Sequence, residues 1–234
     1  MLYIVSTPIG NLDDLSIRAR RVLEEADMIL AEDTRRSGQL LKLLEIPSKP
    51  FISYHDHNEQ QRIPQVLDWL REGKNVVLIS DAGTPLISDP GFKLVRAAAD
   101  EKLPYTAVPG ACAAINALVL SGFPTDRFLF LGFLPPKGRK RRQRLEAMAA
   151  SGATTVLYES PFKVGKLLDS VLESTGNRDC VVIREMTKVH EEVIRGTVGE
   201  LRDRLAGKTL KGEVVVVVSK SGGSEGNENE ETEE

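Results

Sequence analysis

Short apolar runs alternate with longer amphipathic stretches through the first half of the chain. Residues 2–6, 28–31, 50–53, 75–79 and 104–108 read as strands. Helical periodicity appears near 16–26, 35–44, 59–72, 90–101 and 111–121. Regular alternation of this kind predicts an α/β domain with a largely parallel sheet. Ligands of such sheets collect beyond the carboxyl ends of the strands. After Gly122-Phe123-Pro124-Thr125 the pattern changes. Strand-like runs at 127–133, 154–158, 180–185, 192–197 and 213–218 surround helices near 138–150, 162–174 and 198–205. Two consecutive strands near 180–197 predict a mixed or antiparallel sheet, hence a second α/β domain. The expected division is an N-terminal domain at 1–122, a C-terminal domain at 123–220 and a tail at 221–234.

Composition changes this picture at three points. The tail carries six Glu, no cation and no large apolar residue, a composition that leaves a segment disordered. Without those six, 31 basic residues face 28 acidic ones, so the formal net charge of −3 becomes +3 for the remainder. Such a balance permits a polyanionic partner. Second, Cys112 and Cys180 are the only cysteines and read as buried thiols of a reducing compartment. Third, no run approaches the roughly 18 apolar residues of a membrane helix, and the N-terminus enters a strand without a basic leader. A cytoplasmic location is expected.

Candidate chemistry lies in three loops at strand ends. The strand Val76-Val77-Leu78-Ile79-Ser80 runs directly into Asp81-Ala82-Gly83-Thr84-Pro85. Its small residues let a ligand approach the backbone closely. No Lys or Arg lies between Ser80 and Lys93, and neither a GxxxxGK[ST] nor a GxGxxG fingerprint occurs in the chain. Asp81 and Asp89 suit a cationic or hydrogen-bond-donating ligand better than a phosphate. Asp89-Pro90 also reads as an N-cap followed by a first helical residue. Ser6-Thr7-Pro8-Ile9-Gly10-Asn11 and Val108-Pro109-Gly110-Ala111 have the same character after the first and fifth strands. Each of the three is also a plausible plain turn.

Longer matches extend these loops: residues 2–14, Ala31-Glu32-Asp33-Thr34-Arg35, residues 53–59, Leu78 to Pro85, Val108-Pro109-Gly110 and Tyr158-Glu159-Ser160-Pro161. In these segments the chain resembles the tetrapyrrole methylase superfamily, and within it a branch acting on small-subunit ribosomal RNA. The resemblance runs from residue 2 to about 219. It implies two α/β domains, a homodimer, and S-adenosylmethionine held in the cleft between domains. The reaction it implies is methylation of the ribose 2′-hydroxyl of a cytidine in the decoding region of 16S ribosomal RNA. Carried over by motif, the cofactor contacts are Pro8, Ile9, Asp81, Gly83, Thr84, Cys112, Ala113 and Ala114, with Tyr158 and the strand near Val214-Val215 in the second domain. The superfamily's usual Gly-Asp-Pro core is replaced here by Asp-Ala-Gly-Thr-Pro, which leaves open whether Asp81 contacts the cofactor or orders the loop.

Methyl transfer to a hydroxyl needs an aligned acceptor and help in losing its proton. Glu32, Asp33, Arg35 and His55 are the candidate catalytic groups. Asp33 also reads as an N-cap and His55 as a hydrogen-bonded loop histidine. Arg35 in a first helical turn opposes the helix dipole, which favours a phosphate or ribose contact for it. Glu159, Glu185 and Lys188 are further candidates in the second domain. Lys137, Arg139, Lys140, Arg141, Arg142 and Arg144 place six cations in eight residues at a predicted helix start, an expected RNA phosphate track. No metal-ligating cluster or catalytic triad is evident. A tetrapyrrole methylase and a non-catalytic RNA-binding or ribosome-assembly protein are the alternatives.

Overall fold

The computed structural model describes residues 1–208 and 210–222. They form two compact units, Met1–Asn116 with Met186–Val189, and Ala117–Glu185 with the described part of His190–Glu234. The division falls inside one helix, α5 (Ala113–Ser121).

The first unit alternates strand and helix without interruption: β1 (Leu2–Val5), α1 (Ile17–Glu25), β2 (Met28–Ala31), α2 (Thr34–Leu43), β3 (Phe51–Ser53), α3 (Glu59–Arg71), β4 (Val76–Leu78), α4 (Phe92–Asp100) and β5 (Tyr105–Val108). The strands lie in the order β3-β2-β4-β1-β5 and every pairing is parallel. The apolar runs of these strands follow from helices covering both faces. Alternate residues divide between the two layers. Val5, Ile29, Ala31 and Val77 pack with Ala19, Val22 and Leu23 of α1 and Leu41 of α2. Leu2, Ile4, Leu30 and Leu78 pack with Val66 and Leu70 of α3 and Leu94 and Ala98 of α4. Neighbouring strands β1 and β4 are thus followed by helices on opposite faces. The loops after them lie at the sheet's carboxyl edge, where ligands of α/β folds collect.

The second unit holds β6 (Phe128–Phe133), α6 (Arg139–Ala150), β7 (Thr154–Glu159), α7 (Val164–Thr175), β8 (Arg178–Arg184), β9 (Glu192–Thr197), α8 (Val198–Leu205) and β10 (Val214–Gly222). Its sheet, β6-β7-β10-β8-β9, is mixed: β6 and β7 are parallel and the other pairs antiparallel. The valine run of β10 sits centrally because β-branched side chains suit a pleated strand buried on both faces. Val214, Val216 and Val218 meet Leu145, Leu167, Leu168 and Leu201 of the three helices. Strand β10 reaches Gly222, so the first two residues of the expected acidic tail are strand; the remaining tail lies outside the described residues.

Candidate active site

Three loops at the carboxyl edge of the first sheet are fastened to one another. The β1 and β4 loops meet as an isolated antiparallel bridge, with Thr7 N–H donating to the Gly83 carbonyl at 2.9 Å and Gly83 N–H to the Thr7 carbonyl at 3.0 Å. Thr84 Oγ1 donates to the Ala111 carbonyl at 2.9 Å, which ties in the β5 loop. Its one proton is thereby committed, so Ser6 Oγ, 2.9 Å away, is the donor to Thr84. Gly83 has φ +81°, and a Cβ there would stand 3.2 Å from Ile9 Cγ2. At Gly110 a Cβ would lie 2.8 Å from the Cβ of Ser6. These glycines therefore do two jobs: one supplies a left-handed turn, the other a close approach of loops. Pro8, Ile9 and Gly83 are buried, Thr84, Cys112 and Ala113 half-buried, and Ala114 buried. The structure brings Ile9, Gly83 and Thr84 together beside Ala111, the neighbour of Cys112. Tyr158 belongs to the second unit, where its ring meets Phe130 and Phe133 edge-on at 5.1 and 5.5 Å.

Asp81 does not cap or turn its own loop. One oxygen accepts the Asp33 backbone N–H at 3.2 Å, and the other pairs with Arg36 Nη1 at 3.0 Å. It links the β4 loop to the start of α2. Asp33 is the N-cap of α2, accepting the Arg35 N–H at 2.9 Å. The Arg35 guanidinium also reaches back to Asp33 at 3.3 Å, which holds that carboxyl below its usual range. This ion pair gives Arg35 a local reason to tolerate the dipole, while its side chain remains 90% exposed. Arg36 was not singled out from the sequence; only folding brings it to Asp81.

The expected N-cap role of Asp89 is not what forms. Helix α4 begins at Phe92, and its N-cap is Gly91 at φ 131°. Leu86 and Ser88, both non-glycine residues at positive φ, carry the chain through another turn first. A Cβ at Gly91 would lie 2.7 Å from Leu78 and Leu86, so that turn is packed shut. Asp89 is left half-buried on the rim. Desolvation, with the nearby Glu32, pushes its carboxyl up to about 6, against a hydrogen bond from Ser80. Glu32, though exposed, is raised as well, by partial desolvation first and then by Asp81 and Asp56. Glu32, Asp56, Asp81 and Asp89 thus share one rim with Asp33, His55 and Arg36.

His55 sits between these groups and α3. Its backbone N–H donates to Asn58 Oδ1 at 2.9 Å, which orients the amide so that Asn58 Nδ2 donates to the ring Nε2 at 3.2 Å. Nε2 is then an acceptor, and in the neutral ring the proton sits on Nδ1. Nδ1 is buried and has no hydrogen-bond partner among the described residues.

The remaining candidates take structural positions. Glu185 accepts the Glu213 N–H at 3.0 Å, and Glu159 the Ser160 N–H at 2.7 Å. Lys188, expected in the second domain, groups with the first unit, where its stem covers Gly10 of the β1 loop. In the basic run, Arg141 donates to the Pro135 carbonyl at 3.2 Å and Ser170 Oγ at 3.1 Å, and Arg144 to the Leu131 carbonyl at 3.1 Å. Lys137, Arg139, Lys140 and Arg142 are exposed. Among the described residues, no His, Cys, Asp and Glu group could hold a metal ion, and no helix is long and apolar enough to cross a membrane.

Comparison with known proteins places this arrangement. The chain is 46% identical over 221 residues to "Ribosomal RNA small subunit methyltransferase I" of Halalkalibacterium halodurans, covering 94% of this chain and 76% of that protein. It is 44% identical over 218 residues to the protein of the same name from Thermotoga maritima, covering 93% and 97%. A solved uroporphyrin-III C-methyltransferase from Thermus thermophilus, complexed with S-adenosylhomocysteine, shares the fold at a TM-score of 0.65 and 16% identity, covering 93% of this chain and 96% of that one. Residues 1–202 match the family described as Tetrapyrrole (Corrin/Porphyrin) Methylases, and the chain belongs to that family.

Proposed function

We propose that this chain is an S-adenosylmethionine-dependent methyltransferase acting on the ribose 2′-hydroxyl of a cytidine in the decoding region of 16S ribosomal RNA. The observation that carries this reading is the similarity along nearly the whole chain to proteins named as small-subunit rRNA methyltransferases. The three fastened loops fit the cofactor. They offer backbone and small side chains for close approach, and between Ser80 and Lys93 they place carboxylates but no cation. Bound there, S-adenosylmethionine would supply an activated methyl group on a sulfonium.

The protein's own part is alignment and proton handling. Pro8, Ile9, Gly83, Thr84, Cys112, Ala113, Ala114 and Tyr158 are the proposed cofactor contacts. Asp81 acts through Asp33 and Arg36, positioning the α2 start rather than the cofactor. Glu32 is the proposed acceptor for the hydroxyl proton, because a carboxylate with a raised pKa is a better base than an ordinary one. His55 is the proposed substrate-handling histidine of this rim, its ring oriented by Asn58. Arg35 contacts a phosphate, with Asp33 holding its guanidinium in place. Lys137, Arg139, Lys140 and Arg142 supply the electrostatic track, and Arg141 and Arg144 fix that track to the second sheet. The enzyme works in the cytoplasm as a homodimer.

The test is transfer of labelled methyl to purified small ribosomal subunits, with the modified nucleotide mapped by mass spectrometry. A single 2′-O-methylcytidine is expected. No incorporation by cofactor-loaded protein would overturn the reading, and methylation of a porphyrinoid instead would replace it.

A further inference from the structure

A groove of about 540 Å³ opens between α7 and α8 in the second unit. Phe162, Lys166, Asp169, Arg202, Asp203 and Lys208 are among its lining residues. Phe162 is 78% exposed, although a phenylalanine with no partner is usually covered. Lys166 and Lys208 are exposed and make no ion pair among the described residues. Of the two acids, Asp203 is held by Arg202 at 2.7 Å, which leaves the lysines as the groove's unpaired cations against Asp169.

Helix α7, which forms one wall of the groove, is also bonded to the basic start of α6. Arg141 of α6 donates to Ser170 Oγ on α7, and Ser170 Oγ donates in turn to the carbonyl of Lys166, one turn earlier. Arg141 of the basic run thus reaches the helix that carries Lys166, while Lys208 lines the groove from beyond the end of α8. Gly165 in the groove wall has open space where a Cβ would be, so its backbone is reachable.

We propose that the α7–α8 groove is a second RNA contact. A single-stranded stretch leaving the α6 surface would place phosphates on Lys166 and Lys208 and stack a base on Phe162. Spaced cations beside one exposed aromatic ring are the chemistry of single-strand binding, and neither part alone would select it. This inference rests on the RNA-directed reading given above.

The test compares three variants, each altered only at exposed side chains: K166Q/K208Q, F162A and R139E/R142E. Binding to transcribed small-subunit ribosomal RNA is measured across a salt series. Each lost phosphate contact on a single strand reduces the log–log salt slope by about 0.7, so K166Q/K208Q is expected to lower it by about 1.4. F162A is expected to weaken binding about fivefold or more with the slope unchanged, as loss of one stacked base requires. Cofactor affinity should not move in any variant. Wild-type behaviour of both groove variants, with R139E/R142E weakened, overturns the groove and leaves the RNA reading standing. If the groove variants bind naked RNA normally but lose affinity for intact subunits, the groove meets ribosomal protein and the proposal is wrong. Wild-type protein that neither binds RNA nor methylates subunits removes the RNA reading itself.

Discussion

The rim of the first unit and the α6–α7 surface of the second handle charge in opposite ways. On the rim, polar groups are bonded mainly to one another: Ser6 to Thr84, Thr84 to Ala111, Asp81 to Asp33 and Arg36. Its surplus is acidic and partly desolvated, with Asp89 and Glu32 raised. The α6 start is cationic and largely exposed, and among the described residues only Arg141 and Arg144 of its cations have side chains tied to their unit. A preorganised, self-satisfied site suits a small ligand that must be aligned. A solvated field of cations suits a polymer recognised by its charge.

Breaking the rim's geometry should have the largest effect. Gly83→Val forces a β-branched residue to φ +81° against Ile9, at a backbone cost of about 1–2 kcal/mol before the clash is counted. We expect a lowered melting temperature and loss of measurable cofactor binding by calorimetry; unchanged binding would show that the fastened loops are not the cofactor site. Next, Arg139→Glu with Arg142→Glu should weaken RNA binding at least tenfold at physiological salt, with cofactor affinity and melting temperature unchanged. By contrast, Arg141→Ala removes two hydrogen bonds and should destabilise by about 1–2 kcal/mol in denaturant unfolding. If Arg141→Ala is as stable as wild type, the separation of anchoring from RNA-facing cations fails.

Asp89 provides a pH test of the rim. Its folded pKa, about 6, lies above the ordinary carboxylate value, so the folded state binds the extra proton. The stability tied to that proton is present below about pH 4 and is lost as pH rises through about 6. Asp89→Asn should flatten this dependence and stabilise the protein at pH 7.5, by about 1 kcal/mol once partial exposure is allowed for. Thermal melts at both pH values check the sign. The smallest structural effect is expected of Arg35→Ala. Its side chain is exposed, so the melting temperature should stay put while methyl transfer to subunits falls; intact transfer would leave Arg35 as a partner of Asp33 only.

Much of this was legible along the chain. Parallel strands buried on both faces write continuous apolar runs, and the helices between them write a 3.6-residue period, so elements of both units fall within a few residues of their expected limits. The small-residue loops were visible for the same local reason: Gly and Pro mark backbone that side chains would obstruct. Asp33 as a cap was equally readable, since capping joins residues two or three apart.

Local pattern failed where partners come from distant segments. Asp89-Pro90 has every mark of a helix start, yet packing of Gly91 against Leu78 and Leu86 delays α4 and leaves Asp89 on the rim. Asp81 and Arg36 are 45 residues apart and meet only because β2 and β4 are neighbours in the sheet. The six cations at 137–144 look alike in sequence; only the carbonyls of Leu131 and Pro135 and the hydroxyl of Ser170 separate anchors from free charges. Periodicity and backbone-permissive residues determined the elements, their order and the small-residue loops at the strand ends, because those depend on short-range sterics and burial. Which carboxylates share a rim, and which cations face solvent, was decided by strand order and helix packing, because electrostatic environment depends on distance in space.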